Sequence, residues 1–531
     1  ERHAVARKPT RVWRRFMGFY ESVLLHVLEW PALLLIGLIP LVVVGALAYK
    51  SVGSGFMPKM DEGGFVLDYI APPGTSLTET NRLLDTVGAI LRADPYVDTW
   101  SRRTGLQLGG GLTEANTGDF FVRLKNGPRP PIEDVMAEVR RKVTAQVPGL
   151  DIDFAQLMED MIGDLTEVPQ PIEVKLYSDN IGELDASAKK VAAQLARIPG
   201  VVGVLNGINP AGNALEVRVD PVRAALAGVD PRSVADQVAA AIAGKIATRL
   251  PQGPKMVGVR VWVPPQDRAE IEQLAALPIS GSQGDVFPLS RVATLREQSG
   301  QPEIDHENLK RMLAVTARIS GRDLGSTIGD VKKVLAARGE LPSGMYYQLG
   351  GLYRQQQIAF HGLTIVLLTA LALVFTLLLF LYESFLVALV VLIQPLLAIC
   401  AVFIGLWVTG TELDISSMMG MTMIVGIVTE LAIFYFSEFA EVQAHAAEGE
   451  APTFRWTLLQ AGHNRMRPIL MSTIAAILTL SPLALAIGRG AQMQQPLAIA
   501  IIAGMLVQVP LVLVVMPTLY LLVARHEGSP E

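Results

Sequence analysis

The chain has 531 residues, of which 50% are hydrophobic and 18% charged, and its mean hydropathy is +0.37. A soluble protein of this size usually scores below zero, and a chain made only of membrane helices carries fewer charges, so we expect apolar blocks alternating with a globular part. The net charge of -5 gives no sign of a nucleic-acid partner, and a single cysteine, Cys400, excludes an intramolecular disulfide and a multi-cysteine zinc site.

Residues 1–30 are predicted to be a cytoplasmic flank that contains an interfacial helix. Within residues 12–30, apolar side chains recur at helical spacing, with Arg14 and Arg15 on the opposite face. A simple cytoplasmic extension of the first membrane span is the alternative.

Six apolar blocks of about 19–26 residues are long enough to cross a hydrocarbon core of about 30 Å. Lysine and arginine concentrate before the first block and between the fourth and fifth, which places both termini in the cytoplasm and the long segment after the first block outside it. The blocks lie at residues 31–49, 363–381, 386–408, 418–436, 469–487 and 497–522.

The long segment between the first two blocks shows a strand and helix rhythm. Residues 65–154 follow the order β-α-β-β-α-β, which is the ferredoxin-like arrangement. Its first helix opens with Ser76 and Glu79 at the spacing of a capping box. The rhythm recurs over residues 172–349 and includes a helix with Asp230 as its cap, Pro231 at its first position and Gly244 at its end.

The predicted fold class is therefore an α+β membrane protein with six transmembrane helices, arranged as one plus five, and a large periplasmic region of ferredoxin-like α+β subdomains. We predict a first span at residues 31–50, subdomains over 51–360 with one inserted at about 214–302, a five-helix bundle over 361–524 and a cytoplasmic tail at 525–531.

Glu430 carries the most chemical information because it lies inside the fourth apolar block. A carboxylate at membrane depth is costly and normally faces a polar interior or a partner, so we predict a protonatable site in an ion pathway. A role in an interhelical hydrogen bond, or a misjudged span edge, are the alternatives.

Two further groups of residues are weaker candidates. Gly109, Gly110 and Gly111 join two predicted strands, and their flexibility would suit a loop beside a passing substrate, with a plain linker as an equal alternative. Met158 and Met161 carry soft sulfur that binds copper(I) or silver(I), although methionine more often fills cores. These patterns do not identify the substrate-binding residues, and Met158 and Met161 are only weak candidates for metal ligands.

Five segments in the same order resemble the C-terminal half of resistance-nodulation-division (RND) efflux permeases, and the resemblance covers nearly the whole chain. They are GFMPKMDEGGFVLDYIAPPGTSLTET (residues 55–80), LYESF (381–385), GIVTELAIFYFSEF (426–439), RMRPILMS (465–472), and GRGAQMQQPLA (488–498) followed by PTLYLL (517–522).

The resemblance implies proton-coupled export as half of an inner-membrane permease in a tripartite pump, with no cofactor beyond the proton-motive force and no enzymatic activity. It implies a proton relay of Glu430, Arg465 and Ser472, where serine replaces the usual threonine, and a gating loop around Gly109–Gly111. The opening motif and Glu430 favour the heavy-metal branch of cobalt-zinc-cadmium or copper-silver exporters, while an organic substrate remains an alternative.

The resemblance also implies partners, because the family's central acidic pair lies in an N-terminal half that this chain lacks. The chain is then a fragment, a split gene product or a natural half that pairs with an N-terminal half bearing the acidic pair. Family members are homotrimers in the inner membrane of Gram-negative bacteria, with a large periplasmic domain, and they bind a periplasmic adaptor and an outer-membrane channel.

Two other functions were weighed against efflux. A coupling permease of an ATP-driven export system also joins few spans to a large outer domain, but it would leave Glu430 unexplained and needs a nucleotide-binding partner, since this chain has no Walker motif. A protein-translocation motor has a related helix plan, but LYESF and RMRPILMS favour efflux.

Overall fold

The computed structural model describes residues 11–105, 115–166, 170–208, 212–299, 304–337, 341–342, 344–446, 453–488 and 490–526. Apolar helices lie at both ends of the chain, and three units that contain β-sheet lie between them.

The described chain opens with two helices, α1 (Arg11–Glu29) and α2 (Ala32–Ser51). Tyr20, Leu24 and Leu28 are buried at four-residue spacing, whereas Arg14 and Arg15 are exposed. Helix α1 is therefore amphipathic, and its buried face belongs to the same apolar core as the C-terminal helices.

The first sheet unit is a four-stranded antiparallel sheet with two helices on one face. On strand β1, Phe65, Leu67 and Tyr69 are fully buried at two-residue spacing, which places that face against the helices. The strand order is β2-β3-β1-β4, which is the order of a ferredoxin-like fold. The elements are β1 (Gly64–Ile70), α3 (Leu77–Ala93), β2 (Val97–Thr104), β3 (Thr117–Leu124), α4 (Ile132–Gln146), β4 (Asp151–Gln156) and the following α5 (Leu157–Thr166).

Ser76 caps α3 by accepting a hydrogen bond from the Glu79 amide, as the capping-box spacing predicts. The Glu79 carboxylate does not complete the reciprocal half of the box, because both of its oxygens accept hydrogen bonds from Arg82. One orphan amide of α3 is thus satisfied by a side chain.

The second sheet unit begins with β5 (Ile172–Tyr177), α6 (Ile181–Leu195) and β6 (Val201–Leu205). The chain then leaves this sheet for a separate unit over residues 213–299. That unit contains β7 (Asn213–Val219), α7 (Pro221–Leu226), α8 (Pro231–Ala243), β8 (Lys245–Gln252), β9 (Lys255–Val261), α9 (Ile271–Ala275), β10 (Pro278–Ser280), β11 (Val286–Pro288) and β12 (Ala293–Ser299), with short 3-10 turns at Pro265–Asp267 and Leu289–Arg291.

The entry and exit strands of this unit, β7 and β12, pair along their full length, so the unit leaves and rejoins the chain at one place. Helix α8 begins at Pro231 with Asp230 accepting from two amides, and it ends before Gly244, which has a positive φ of 79°. Strands β8 and β9 form a hairpin in which every residue is exposed.

The chain returns to the second sheet through β13 (Asp305–Glu307), β14 (Lys310–Ile319), α10 (Leu324–Leu335) and β15 (Tyr346–Leu349). Strand β14 pairs with β5 and β6, and β15 pairs with β5. The order β6-β14-β5-β15 therefore repeats the strand order of the first sheet unit.

Six helices in the described part of the chain have the length and hydropathy of membrane spans. The first is α2. The other five are α11 (Gly351–Tyr382), α12 (Phe385–Thr409), α13 (Ile415–Ala446), α14 (Phe454–Ala484), and a final helix that runs as α15 (Ala491–Pro510), a π-helical segment (Leu511–Val515) and α16 (Met516–His526).

Small residues let α15 approach its neighbours closely. A Cβ added at Gly504 would collide with Ile424 of α13, and one added at Gly405 of α12 would collide with Ala503. Close approach at small residues is a common way to pack helices whose surroundings are as apolar as their side chains.

The π-helical segment follows Pro510, which has no N–H to donate to the preceding turn. The Tyr20 hydroxyl of α1 donates to the Leu513 carbonyl at 3.2 Å, and Gly462 of α14 leaves room for the Tyr20 ring. Helix α1 thereby packs against the irregular part of the last span.

We expect Gly504→Ala to destabilise the bundle, because the added methyl group would overlap buried Ile424, and overpacking of this kind costs about 1–3 kcal/mol. Gly362→Ala is the matched control, since that helical glycine has no atom within 4 Å of the added carbon. Melting temperatures of the purified variants in detergent would test this. Equal melting temperatures for the two variants would contradict the packing described here.

Candidate functional site

A cavity of about 490 Å³ lies among α13, α14 and α15, at the level of the apolar helices. Its wall is mostly apolar and includes Met423, Phe434 and Met505. Four polar residues also line it: Glu430 from α13, Arg465 and Ser472 from α14, and Gln508 from α15. The structure thus brings the three residues of the predicted relay to one cavity, and it adds a fourth polar group.

Glu430 lies near the middle of α13, and its side chain is exposed in this chain. It makes no hydrogen bond or ion pair with any residue that the structure describes. Exposed residues recur along the same face of α13 at three- and four-residue spacing, at Met419, Met423, Gly426 and Phe434. We call this face, together with Pro468, Ser472 and Thr479 of α14, the open face of the bundle.

Arg465 contacts a different carboxylate from the one that the predicted relay would suggest. Its Nε lies 2.8 Å from Oε2 of Glu438, two turns beyond Glu430 on α13, and Asn464 donates to the same carboxylate at 2.7 Å. The N–H of Arg465 Nε does not point at an acceptor, so the contact is an ion pair without a well-formed hydrogen bond. Arg465 therefore borders the cavity with its charge balanced by Glu438.

The Ser472 hydroxyl donates to the Ile469 carbonyl one turn earlier in α14, at 3.0 Å. Serine and threonine commonly make such local bonds inside helices. The hydroxyl borders the cavity but is already engaged as a donor.

The remaining candidates are less informative. Gly109, Gly110 and Gly111 lie outside the described residues. The Met158 amide donates to the Glu62 carboxylate at 2.9 Å, and the Met161 side chain is 54% exposed. No group of three or more His, Cys, Asp or Glu side chains in the described ranges is arranged to hold a metal ion.

A second cavity of about 590 Å³, which we call the cleft, lies between the first and second sheet units, and residues 56–62 line one side of it. Met158 lines it together with Met57, Met60 and Met136, while Glu62 and Glu159 supply carboxylates. Sequence reasoning missed this set, because Met57 and Met60 lie in a loop about a hundred residues from Met158.

Three aspartates form a row across the face of the first sheet that points away from its helices. Asp68 on β1 lies directly opposite Asp119 on β3 and Asp153 on β4. Directly paired residues on neighbouring strands share one face of a sheet, and the strands lie about 4.8 Å apart. We call these three residues the aspartate row.

The two ends of the aspartate row have cationic partners. Arg103 on β2 forms a two-point ion pair with Asp119, and buried Arg318 on β14 pairs with both Asp153 and Glu159. Because β14 belongs to the second sheet, Arg318 joins the two sheet units across the cleft.

Asp68, in the middle of the row, has no cationic partner among the residues that the structure describes. Burial, followed by the negative charges of Asp160, Asp153 and Asp119, raises the pKa of its carboxyl to about 7, while Arg318 opposes the shift. The row thus holds one carboxyl group that titrates near neutral pH.

The chain as a whole matches a known protein family. The AcrB/AcrD/AcrF family model matches residues 1–524. The cobalt-zinc-cadmium resistance protein CzcA of Cupriavidus metallidurans is 29% identical over 99% of this chain and 50% of its own length. The nickel and cobalt resistance protein CnrA of the same organism is 29% identical over 100% of this chain and 50% of its own.

Among solved structures, the X-ray crystal structure of a heavy metal efflux pump matches with a TM-score of 0.84 and 25% identity, over 97% of this chain and 53% of that one. The chain thus spans about half the length of the relatives that it matches.

We expect Asp68→Asn to remove a loss of folding stability that wild type suffers as pH rises. The folded chain keeps the Asp68 proton up to a pH of about 7 and the unfolded chain only to about 3.8, so the folded state binds more protons between these values and loses stability as pH rises through them. Asparagine stays neutral, so the variant should gain stability over wild type at pH 8 and gain less at pH 5.

Melting temperatures at the two pH values would measure this difference, with Asp236→Asn on the exposed side of α8 as the control. The same change in melting temperature for Asp68→Asn at both pH values would contradict the raised pKa.

Proposed function

The chain belongs to the AcrB/AcrD/AcrF family, and we propose that it is the C-terminal half of an inner-membrane permease that exports a metal cation by proton antiport. Membership in this transporter family favours efflux over an enzyme, an ATP-driven coupling permease or a protein-translocation motor. The observation that carries the proposal is Glu430, a carboxylate that lies on the open face of an apolar bundle and has no partner in the described part of the chain.

The open face supports a second half as the partner. A charged side chain facing lipid at the centre of a span costs several kcal/mol, so Glu430 needs a protein surface against it. Halves of such transporters pack around an axis along the membrane normal, which would bring an equivalent helix against α13. In this proposal the N-terminal half carries the acidic pair, on the same polypeptide or on another, and we call the two halves together the complete pump.

The acidic pair would make Glu430 one of three carboxylates in a shared site. Like charges at short range cannot all ionise, so at least one proton stays bound until the packing changes. Arg465 would adjust the charge of this site from the rim of the cavity, since Glu438 already balances it. Protonation from the periplasmic side and release to the cytoplasm would then alternate two arrangements of the bundle.

Backbone contacts connect this bundle to the cleft between the sheets. Leu413, just before α13, pairs with the chain at Gly53 and Gly55 through hydrogen bonds of 2.8 and 3.0 Å. The same segment continues to Asp61, whose amide donates to Gln492 of α15, and to Glu62, which accepts from the first turn of α5. A shift of α13 or α15 would therefore displace residues 56–62, which line one side of the cleft.

The cleft chemistry supports a metal cation as cargo. Glu62 and Glu159 line the cleft, and their carboxylates are oxygen ligands that zinc and other divalent cations accept, whereas methionine sulfur suits copper(I) and silver(I). The relatives are named for cobalt, zinc, cadmium and nickel. We propose a divalent transition-metal ion that binds transiently, because an exporter must also release its cargo.

The remaining proposals follow the family. The sheet units would lie in the periplasm, since the arginines of α1 and residues 453–467 mark the cytoplasmic side. Three complete pumps would form a homotrimer that docks with a periplasmic adaptor and an outer-membrane channel. The proton-motive force would supply the energy, without a cofactor.

Glu430→Gln in the complete pump should reduce export to below roughly a tenth of wild type, because glutamine can neither take up nor release a proton. Uptake and efflux of a radioactive zinc or cobalt isotope in proteoliposomes with an imposed pH gradient would measure this. Glu441→Gln, at the exposed cytoplasmic end of the same helix, is the control and should export normally. Full export by the Glu430→Gln pump would refute the proton-coupling proposal.

Expression of the complete pump in a metal-sensitive bacterium should raise tolerance to cobalt, zinc, cadmium or nickel salts several-fold, because carboxylate ligands favour such cations. Growth in graded concentrations of each salt, of copper and silver salts, and of organic toxicants would measure the selectivity. A gain confined to organic toxicants would contradict the metal cargo and leave proton coupling untouched.

A further inference from the structure

Gln508 of α15 is the polar residue of the bundle cavity that no sequence pattern indicated. Its side chain is fully buried, and within the described residues neither its Nε2 nor its Oε1 has a hydrogen-bond partner. A buried amide in this state is destabilising, since it has lost water on both ends and gained nothing in return.

The other polar residues of the cavity separate into two groups. Arg465 is paired with Glu438, and Ser472 is bonded to the Ile469 carbonyl. Glu430 and Gln508 are the two polar lining residues whose side chains have no hydrogen-bond partner among the residues described. The two unsatisfied groups of the cavity are therefore a carboxyl group and an amide, which are chemically complementary.

An amide can serve a carboxyl group in both of its protonation states. Its Nε2–H donates to a carboxylate, and its Oε1 accepts from the O–H of a carboxylic acid. The amide does not titrate at physiological pH, and its bond to the charged carboxylate is the stronger of the two, so removing it changes the balance between the two protonation states. The cavity of about 490 Å³ also has room for water molecules, each of which takes about 30 Å³ of liquid volume, between the two side chains.

We propose that Gln508 is a positioning residue for proton exchange at Glu430, which it reaches through water in the shared cavity. The proposal rests on the proposed function, since it assumes that Glu430 exchanges a proton. The proton passes between the Glu430 carboxyl and water, while Gln508 holds the carboxyl group toward the cavity in both states.

The backbone around Gln508 suits this role. Pro510 follows two residues later, and the helix continues as the π-helical segment Leu511–Val515. Single π-helical turns often lie at functional sites, because they shift the side chains on either side out of the regular repeat. Tyr20 satisfies the Leu513 carbonyl in this segment, so the irregular backbone is held in place from outside the cavity.

The test compares Gln508→Leu with Gln394→Leu in the complete pump. Gln394 of α12 is also fully buried and also has an unpartnered Oε1, but it does not line the cavity. Leucine fills a similar volume without polar atoms, so both variants should melt at the same temperature as wild type or higher.

Proton-driven cation export in proteoliposomes, measured across a range of internal and external pH, is the decisive readout. We expect Gln508→Leu to lower export roughly tenfold or more, the effect of losing one hydrogen bond to a charged group, and to shift the pH of half-maximal export. Gln394→Leu should leave both unchanged. Gln508→Asn, which keeps the amide one methylene shorter, should recover part of the rate.

Three outcomes would overturn the inference. Export and a pH profile equal to wild type in Gln508→Leu would do so, and the proposed function would stand if Glu430→Gln is still inactive. A lower melting temperature with an unshifted pH profile would assign the amide a structural role. Full export by Glu430→Gln would remove the proposed function and this inference with it.

Discussion

A carboxylate placed in the middle of an apolar helix is the constraint on which the bundle depends. Helix α13 buries one side against α12 and α15, where glycines allow close packing, and Glu430 lies on its exposed side at the edge of the cavity. That side cannot face lipid with an ionised carboxylate at low cost. This geometry supports the proposal that a second half of the pump covers Glu430, and the chain spans about half the length of its relatives.

The same bundle is attached to the sheet units by short backbone connections rather than by a flexible linker. Leu413 and Gln492 bind the segment that leads from α2 into the first sheet, and Gln356 at the start of α11 donates to the Gly55 carbonyl. Arg318 then joins the two sheets through Asp153 and Glu159. Proton exchange in the bundle and opening of the cleft can thus be linked through rigid elements.

Much of the fold could be predicted because its signals are local. Apolar blocks and the two-residue alternation of Phe65, Leu67 and Tyr69 each report burial from a few neighbouring residues. Asp230, Pro231 and Gly244 mark the ends of α8 by their own backbone preferences. The hairpin of β8 and β9 gives a weaker signal, because its exposed residues lack a buried face that would create an alternating pattern.

The candidate site was less predictable because it depends on contacts between distant residues. The aspartate row exists through strand register, the Arg465 contact with Glu438 through the rotation of α14 against α13, and Gln508 through its position beside the cavity. A glutamine in an apolar helix resembles any other tolerated polar residue until its lack of partners is visible. Glu430 could be identified from sequence, since the cost of burying its charge does not depend on a particular neighbour.

The central claim is that a second half covers the open face, and a nitroxide label tests it most directly. Replacing Met423 by cysteine in a Cys400→Ser background places the label about two turns from Glu430, and Leu373 of α11, which is 66% exposed, provides a lipid-facing reference. The account predicts that the label at position 423 is shielded from dissolved oxygen in the complete pump and accessible in this half alone, while position 373 is accessible in both. Oxygen access at position 423 in the complete pump equal to that at position 373 would contradict it.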